Sequence, residues 1–196
     1  MDAVRTRALR ELERLRHALQ GREPARVDDP LAAQAAVALV LAPGREGELE
    51  ALFIRRAERE GDPWSGHVAL PGGRRDASDR DLFVTACRET REETAIEIGG
   101  PARLGELDDL SPRSVHLPRI VVRPFVFGLE ALPEVKTSEE VASHLWVPLA
   151  RLRAAAGTAE ICARGERRVV PCYRFGDEIV WGITHRILEP FLELGT

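Results

Sequence analysis

Apolar residues recur along this chain in three rhythms, and each predicts a different kind of element. Between Asp2 and Gln20, Leu9, Leu12, Leu15 and Leu19 return at spacings of three and four among arginines and glutamates, which predicts a helix with one apolar stripe. Gly21 stops it, and Pro24 and Pro30 mark an irregular link. Gln34 to Ala42 is instead a continuous apolar run, read as a buried strand. Leu49 to Arg56 follows across a turn at Pro43-Gly44 and Gly47, so the pair predicts a hairpin. Residues 57–66 are a polar loop, and His67 to Leu70 is a short extended piece leading to Pro71-Gly72-Gly73. Ala102 to Asp108 alternates and starts another strand, and Leu110 to Pro118 is a loop. Arg119 to Leu129 is a strong strand in which Pro124 predicts an edge position or a bulge, since proline brings no N–H to a ladder. After a polar loop from Leu132 to Glu140, Ala142 to Pro148 reads as a strand and Leu149 to Ala156 as a short helix. Residues 159–180 hold two or three short β segments, Val169 to Phe175 among them. Gly182 to Leu194 closes as an amphipathic helix that Pro190 is expected to kink or break.

By itself this order supports an α+β domain, with residues 1–30 as an N-terminal helical arm and 31–196 as the main domain. The arm is read as a stabilising flank; contact with a second subunit and capping of a substrate site are the alternatives. A chain of 196 residues can bury one substantial core. Its net charge of −4 argues against a general nucleic-acid binder, which carries a basic excess. Cys87, Cys162 and Cys172 are an odd number without ligand spacing, and no signal peptide is recognised, so a reducing cytoplasm is expected. No apolar run approaches the roughly 18 residues of a membrane span.

The chemistry concentrates between Gly72-Gly73 and Ile96. A polar loop there leads into a helix, and at about 100° per residue Phe83, Cys87, Thr90 and Thr94 share a narrow stripe suited to burial. Glu89, Glu92 and Glu93 fall on another face, beside Arg88. Three carboxylates within two turns repel one another unless a cation sits among them. Hard divalent cations take oxygen ligands of this kind, Mg²⁺ first and Mn²⁺ as the alternative. A solvated surface helix is the competing reading. It needs neither Leu70-Pro71-Gly72-Gly73 nor acids gathered on one face.

Arg88-Glu89-Thr90-Arg91-Glu92-Glu93, entered from a glycine turn, resembles the signature of the Nudix hydrolases. This chain has Asp79 where the family has a glutamate six residues after the glycine, one more residue between that acid and the arginine, and Ala95 where a glycine is usual. The resemblance implies a Nudix-type α/β/α sandwich with a central mixed sheet, here with an extra N-terminal helix. It also implies metal-assisted diphosphate hydrolysis, in which metals offset phosphate charge and activate water. Glu92 and Glu93 are the expected direct ligands. Glu89 binds a second metal or orients the water, and Arg88 holds Glu89 through a salt bridge. The Gly73 carbonyl is a further candidate ligand, because glycine permits close backbone approach. Glu139 and Glu140 resemble the loop position that supplies a general base in several members, with a helix or turn cap as the alternative reading. Asp108-Asp109 is a weaker candidate base. His67 and His116 suit a hard cation poorly, and one of them is a candidate contact for substrate phosphate.

Three further stretches resemble the coenzyme A pyrophosphatase subfamily: Gly66 to Arg74, the spacing of Asp76 and Asp79 before Thr85 to Thr90, and Trp181-Gly182-Ile183-Thr184. Leu70, Asp62 and Phe53-Ile54-Arg55-Arg56 depart from its pattern. The implied substrate is a nucleoside diphosphate derivative, coenzyme A or an acyl-CoA, cut to 3′,5′-ADP and 4′-phosphopantetheine. An ADP-ribose, nucleoside diphosphate sugar or dinucleotide hydrolase is the alternative, as is a non-catalytic ligand-binding module. Arg74 and Arg75 are candidate contacts near the diphosphate. Arg55, Arg56 and Arg59 are candidates further out, and Trp64 is a candidate to stack on the base. For each arginine a solvated surface role competes. Beyond the small-molecule substrate, the expected partner is at most a second copy of the chain, with no nucleic acid and no membrane.

Overall fold

The computed structural model describes residues 2–61, 64–112, 118–163 and 166–194, so Asp62 and His116 lie outside the described residues. Helix α1 (Asp2–Gln20) comes first, as its leucine stripe predicts. Strands β1 (Ala33–Pro43) and β2 (Leu49–Arg56) then form the expected hairpin, but only at its base, where Leu41 to Pro43 pair with Ala51 to Leu49. Further along, β1 exchanges partners. Its residues Ala35 to Val37 pair with β4 (Gly72–Arg74), while β2 continues alongside β3 (Val68–Ala69) and β7 (Val141–Pro148). The strands diverging from β1 leave a split between the end of β2 and the start of β4. The candidate site forms at this split.

On its other edge β1 runs parallel to β6 (Ile120–Gly128), which is antiparallel to β5 (Arg103–Glu106). The main sheet is therefore mixed. A 3₁₀ turn at Gly100–Ala102 precedes β5, so this strand starts one residue later and ends earlier than its alternating pattern suggests. Pro124 lies inside the sheet and not at an edge: β6 has neighbours on both sides. The missing N–H is tolerated because Pro124 sits where β5 has ended. Its carbonyl still accepts from Leu107 N–H at 3.0 Å, and Leu110 takes over as the neighbour of Val122.

Helix α2 (Leu82–Thr94) covers one face of the main sheet, packing Leu82 and Ala86 against Ala36, Ala38, Val40, Phe125 and Phe127. The opposite face carries α1, α3 (Leu149–Ala154) and α4 (Gly182–Glu193) in one continuous core. The result is an α/β/α sandwich. Ala8, Leu12, Leu15 and Leu19 of α1 belong to that same core, and the linker after them is fastened by charge: Arg22 meets Asp108 at 2.7 Å and Arg26 meets Asp109 at 3.1 Å.

Residues 156–181 form a second sheet of their own, with β9 (Glu166–Phe175) central between β8 (Ala156–Ala163) and β10 (Glu178–Trp181). The segments expected there are longer than the sequence suggested, because β8 starts as soon as α3 stops at Ala154. Pro190 does not break α4, which runs on through it to Glu193. It is exposed, while Ile187, Leu188, Phe191 and Leu192 are buried on the other side, and that packing outweighs one lost backbone hydrogen bond. No helix among the described residues is long and apolar enough to cross a membrane.

Candidate active site

Asp81 starts α2 as its N-cap, its carboxylate accepting from Val84 N–H at 2.9 Å. The face that α2 buries is rotated from the expected stripe. Leu82, Thr85, Ala86, Thr90 and Thr94 are buried, whereas Phe83 and Cys87 are half-buried at the border. The rotation carries Glu93 inward to 3% exposure and leaves Glu89 half-covered and Glu92 exposed. The three carboxylates thus occupy three depths on one side of the helix.

Arg88 organises them. Its Nη1 donates to Glu89 Oε1 at 2.8 Å and to Glu92 Oε2 at 3.0 Å, and its Nη2 donates to the carbonyl of Arg74 at 3.1 Å. The remaining donors go to Asp79, a residue without an assigned role in the sequence reading. Arg88 Nε and Nη2 meet Asp79 Oδ1 and Oδ2 at 3.1 and 2.9 Å. Asp79 also accepts from Thr85 Oγ1 at 2.9 Å and from Asp76 N–H at 3.0 Å. These donors, the Arg88 guanidinium foremost, hold its carboxyl at about 2. An aspartate shortly before a helix that carries an arginine was the available signal.

Glu93 enters the split between β2 and β4. Its Oε2 accepts Gly72 N–H at 2.8 Å, and its Oε1 stands 3.9 Å from Arg56. Burial pushes this carboxyl up to about 8, and the charges of Glu89 and Glu140 push the same way against the pull of Gly72 N–H and Arg56. Burial also raises Glu89, with Glu92 and Glu140 adding to it against Arg88. The charge of Glu140 thus acts on both acids. Glu140 is fixed through its backbone, its carbonyl accepting from Ala57 N–H at 2.8 Å, and its carboxylate receives Arg59 Nη1 at 3.1 Å. Glu139 is exposed on the same turn.

The glycines set the floor. A Cβ on Gly73 would lie 2.4 Å from the Glu89 carboxyl carbon, so the backbone there is in contact with the acid. Gly72 has φ +151°, and a Cβ on it would strike the Ala36 carbonyl at 2.3 Å. Ala38 N–H donates to Pro71 O and Arg75 N–H to Gln34 O, at 2.8 Å each, so the ladder turns the odd-numbered residues of this strand toward β1. Gly73 thus directs its carbonyl at Ala36. The carbonyls on the helix side belong to Gly72 and Arg74.

Of the other expected residues, Arg56 reaches the cluster through Glu93. Arg74 contributes a carbonyl to Arg88, and its side chain is exposed. Arg75 is a strut for the loop. It donates to the carbonyls of Asp79 and Arg80, both at 3.0 Å, and to Gln34 Oε1 at 3.2 Å, so its guanidinium already has three acceptors within the fold. Arg55 pairs with Glu178 at 3.0 Å. Trp64 is half-buried in the turn whose carbonyl accepts His67 N–H, and His67 rests on Trp181 with ring centroids 4.7 Å apart. Asp108 and Asp109 are engaged with Arg22, Arg26 and Arg123, which removes them as candidate bases.

Among the described residues no three acidic, histidine or cysteine side chains already converge on one point, because Arg88 and Gly72 N–H hold the carboxylates apart. The donor set still fits a hard cation. It is all oxygen, it lies against a glycine backbone, and its buried member is raised by burial and by the neighbouring charges of Glu89 and Glu140.

A mixed sheet between helical layers, with a carboxylate-bearing helix at a split beside paired glycines, defines an α/β/α domain with a cluster of acids at that split. The model of the NUDIX domain matches residues 32–164, and the chain belongs to the Nudix family. The mitochondrial coenzyme A diphosphatase NUDT8 of Homo sapiens is 34% identical over 173 residues, covering 84% of this chain and 71% of that protein. Nudix hydrolase 22, chloroplastic, of Arabidopsis thaliana is 30% identical over 163 residues, covering 79% of this chain and 53% of that protein. An uncharacterized protein of Schizosaccharomyces pombe is 40% identical over 106 residues, where the match spans 52% of this chain and 32% of the relative. The chain thus spans between a third and three quarters of these relatives. Among solved structures, a MutT/nudix family protein from Enterococcus faecalis superposes with a TM-score of 0.59 at 18% identity, over 90% of this chain and 65% of that one, which supports the fold alone.

Proposed function

We propose that this chain hydrolyses the diphosphate bond of a nucleoside diphosphate derivative with the help of Mg²⁺ or Mn²⁺, and that coenzyme A or an acyl-CoA is the substrate. The observation that carries the reading is Glu93, a carboxylate buried among other carboxylates with one N–H at hydrogen-bond distance and one arginine at 3.9 Å. Such an arrangement is costly unless a cation is bound there during function. Glu89, Glu92 and Glu93 would hold it, with the Gly72 carbonyl in place of the Gly73 carbonyl expected from the sequence. Bound there, a divalent cation offsets phosphate charge and lowers the pKa of a coordinated water.

The chain's own residues supply the positioning. Arg88, locked on Asp79, keeps Glu89 aimed at the cleft. Glu140, whose charge acts on Glu89 and Glu93, is the first candidate to accept the proton of the attacking water, and its exposed neighbour Glu139 is the second. Arg56 reaches Glu93 from the end of β2, and Arg74, Trp64 and His67 are further candidates for substrate contact from β4 and the loop before β3. The coenzyme A assignment is supported by the named activity of the human relative and by the stretches around Gly66 to Arg74 and Trp181 to Thr184.

An assay of nucleotide products with Mg²⁺ over coenzyme A, 3′-dephospho-coenzyme A, ADP-ribose, NADH and a dinucleoside polyphosphate tests the reading. The expected result is 3′,5′-ADP from coenzyme A, with higher kcat/KM than for the 3′-dephospho form at low ionic strength. Faster cleavage of ADP-ribose would move the chain to the nucleoside diphosphate sugar hydrolases. No cleavage of any of them would favour a binding module.

A further inference from the structure

The arginines around the cleft differ in how firmly they are held. Arg88 is bound to Asp79, Glu89, Glu92 and a carbonyl, and Arg75 to two carbonyls and Gln34. Arg59 meets Glu140 through a single nitrogen at 3.1 Å, and the two side chains are 51% and 52% exposed. Exposed pairs of this kind contribute little to stability, so the contact exchanges readily. The two partners are also anchored differently. Glu140 is fixed by backbone bonds at Ala57 N–H and Ser138 Oγ, whereas Arg59 sits in the 57–66 loop with its N–H on Ser65 Oγ and its long side chain held only at the tip. Arg59 therefore has the longer reach and stands on a loop, while Glu140 is anchored at its backbone, with its charge acting on Glu89 and Glu93.

On the reading of this cleft as a diphosphate site, we propose that Arg59 is an exchangeable substrate arginine. It leaves the Glu140 carboxylate for phosphate oxygens when a diphosphate enters, and in doing so frees Glu140. Charge and shape both favour the exchange. A phosphate presents several anionic oxygens to the planar guanidinium, which can engage two of them, while Glu140 engages one nitrogen. Departure of Arg59 leaves Glu140 with its full negative charge beside the phosphate that water must attack. In the absence of substrate the same pairing mutes that charge and limits repulsion within the acidic cluster.

The test is binding of α,β-methylene-ADP, a non-cleavable diphosphate, measured by calorimetry in Mg²⁺, with thermal midpoints confirming that each variant folds. Arg59→Ala is expected to weaken binding about tenfold through loss of a charge-assisted contact. Glu140→Gln is expected to tighten it about threefold, because Arg59 no longer has to be withdrawn from a partner. The deciding measurement is Arg59→Ala in the Glu140→Gln background. A loss of about tenfold there supports direct phosphate contact. No loss there shows that Arg59 acts only by holding Glu140, and overturns the exchange. Arg59→Lys should recover part of the affinity, since it restores the charge but not the fork. Wild-type protein that cleaves coenzyme A while Arg59→Ala binds the analogue equally well overturns this proposal alone. Wild-type protein that neither binds the analogue nor cleaves any substrate overturns it together with the hydrolase reading.

Discussion

Arg88 and Asp79 lock together through two nitrogens and two oxygens, at 3.1 and 2.9 Å, and the same guanidinium then reaches Glu89 at 2.8 Å. A buried acid outside the helix thus fixes the direction of an acid on it. Asp79→Ala should cost about 2 kcal/mol of stability, less than breaking a fully buried pair because Arg88 still meets solvent. It should also lower kcat more than KM changes, since Arg88 would no longer be held. Urea denaturation and steady-state kinetics measure the two effects separately. The Asp79 carboxyl is depressed to about 2 from 3.8, so its contribution is complete above about pH 4 and is lost as pH falls toward 2. Asp79→Asn should therefore flatten the acid limb of the stability curve.

Glu93→Gln should abolish Mg²⁺-dependent turnover while keeping the fold. Activity within about threefold of wild type at saturating Mg²⁺ would contradict a ligand worth several kcal/mol in the transition state. Without metal the variant should be the more stable one at pH 8. Glu93 is raised from 4.5 to about 8, so the folded chain holds a proton that the unfolded chain has lost, and wild-type stability falls as pH rises across that window. Glutamine does not titrate and should remove this slope. Thermal unfolding in a chelator at pH 5 and pH 8 reads it directly.

The paired glycines should fail in different ways. At Gly72 an added methyl meets backbone, the Ala36 carbonyl at 2.3 Å and Val37 Cα at 2.6 Å, at φ +151°. Gly72→Ala is expected to destabilise by about 2 kcal/mol or more, combining strain and overpacking. At Gly73 the atoms nearest the methyl are the end of Glu89, at 2.4 Å. Gly73→Ala should fold nearly normally and lose activity by displacing that carboxylate. Circular dichroism melts set beside turnover numbers separate the two outcomes.

Ala95 ends α2 with φ 58° and ψ 14°, its N–H donating to the Arg91 carbonyl at 2.8 Å. The left-handed conformation costs a residue with a Cβ roughly 1 kcal/mol. Ala95→Gly should recover that amount and raise the thermal midpoint by about 2–4 °C. Turnover should be unchanged, because Ala95 makes no contact with the carboxylates. A lowered midpoint would show that the stiffness of alanine in the unfolded chain outweighs the strain.

Elements with a strong local rhythm were legible before the fold was known. The α1 stripe, the β1 and β2 runs and the spacing of Glu89, Glu92 and Glu93 each repeat over several residues. What escaped was set by tertiary packing. Phe83 and Cys87 lost the buried face of α2 to Leu82, Thr85 and Ala86, because the small side chains let the helix approach β1. Pro124 was tolerated inside the sheet because β5 ends beside it, a fact about a neighbour distant in sequence. Arg75 read as a substrate contact because its type suits phosphate, yet three nearby acceptors occupy it. The depth of Glu93 was hidden for the same reason: it depends on where β2 and β4 part.

The Asp79 anchor also changes how the box should be measured. Aspartate is one methylene shorter than the glutamate usual in the family, and the segment from that acid to Arg88 is one residue longer. Read in letters these are two separate defects. Read as reach, they compensate: the extra link of main chain delivers the shorter acid to 2.9 Å from the guanidinium. A search that counts positions would discard chains of this kind, whereas one that asks for a carboxylate within hydrogen-bond distance of the box arginine would retain them. Lengthening the acid alone, or deleting a loop residue alone, should each do more harm than the two changes made together.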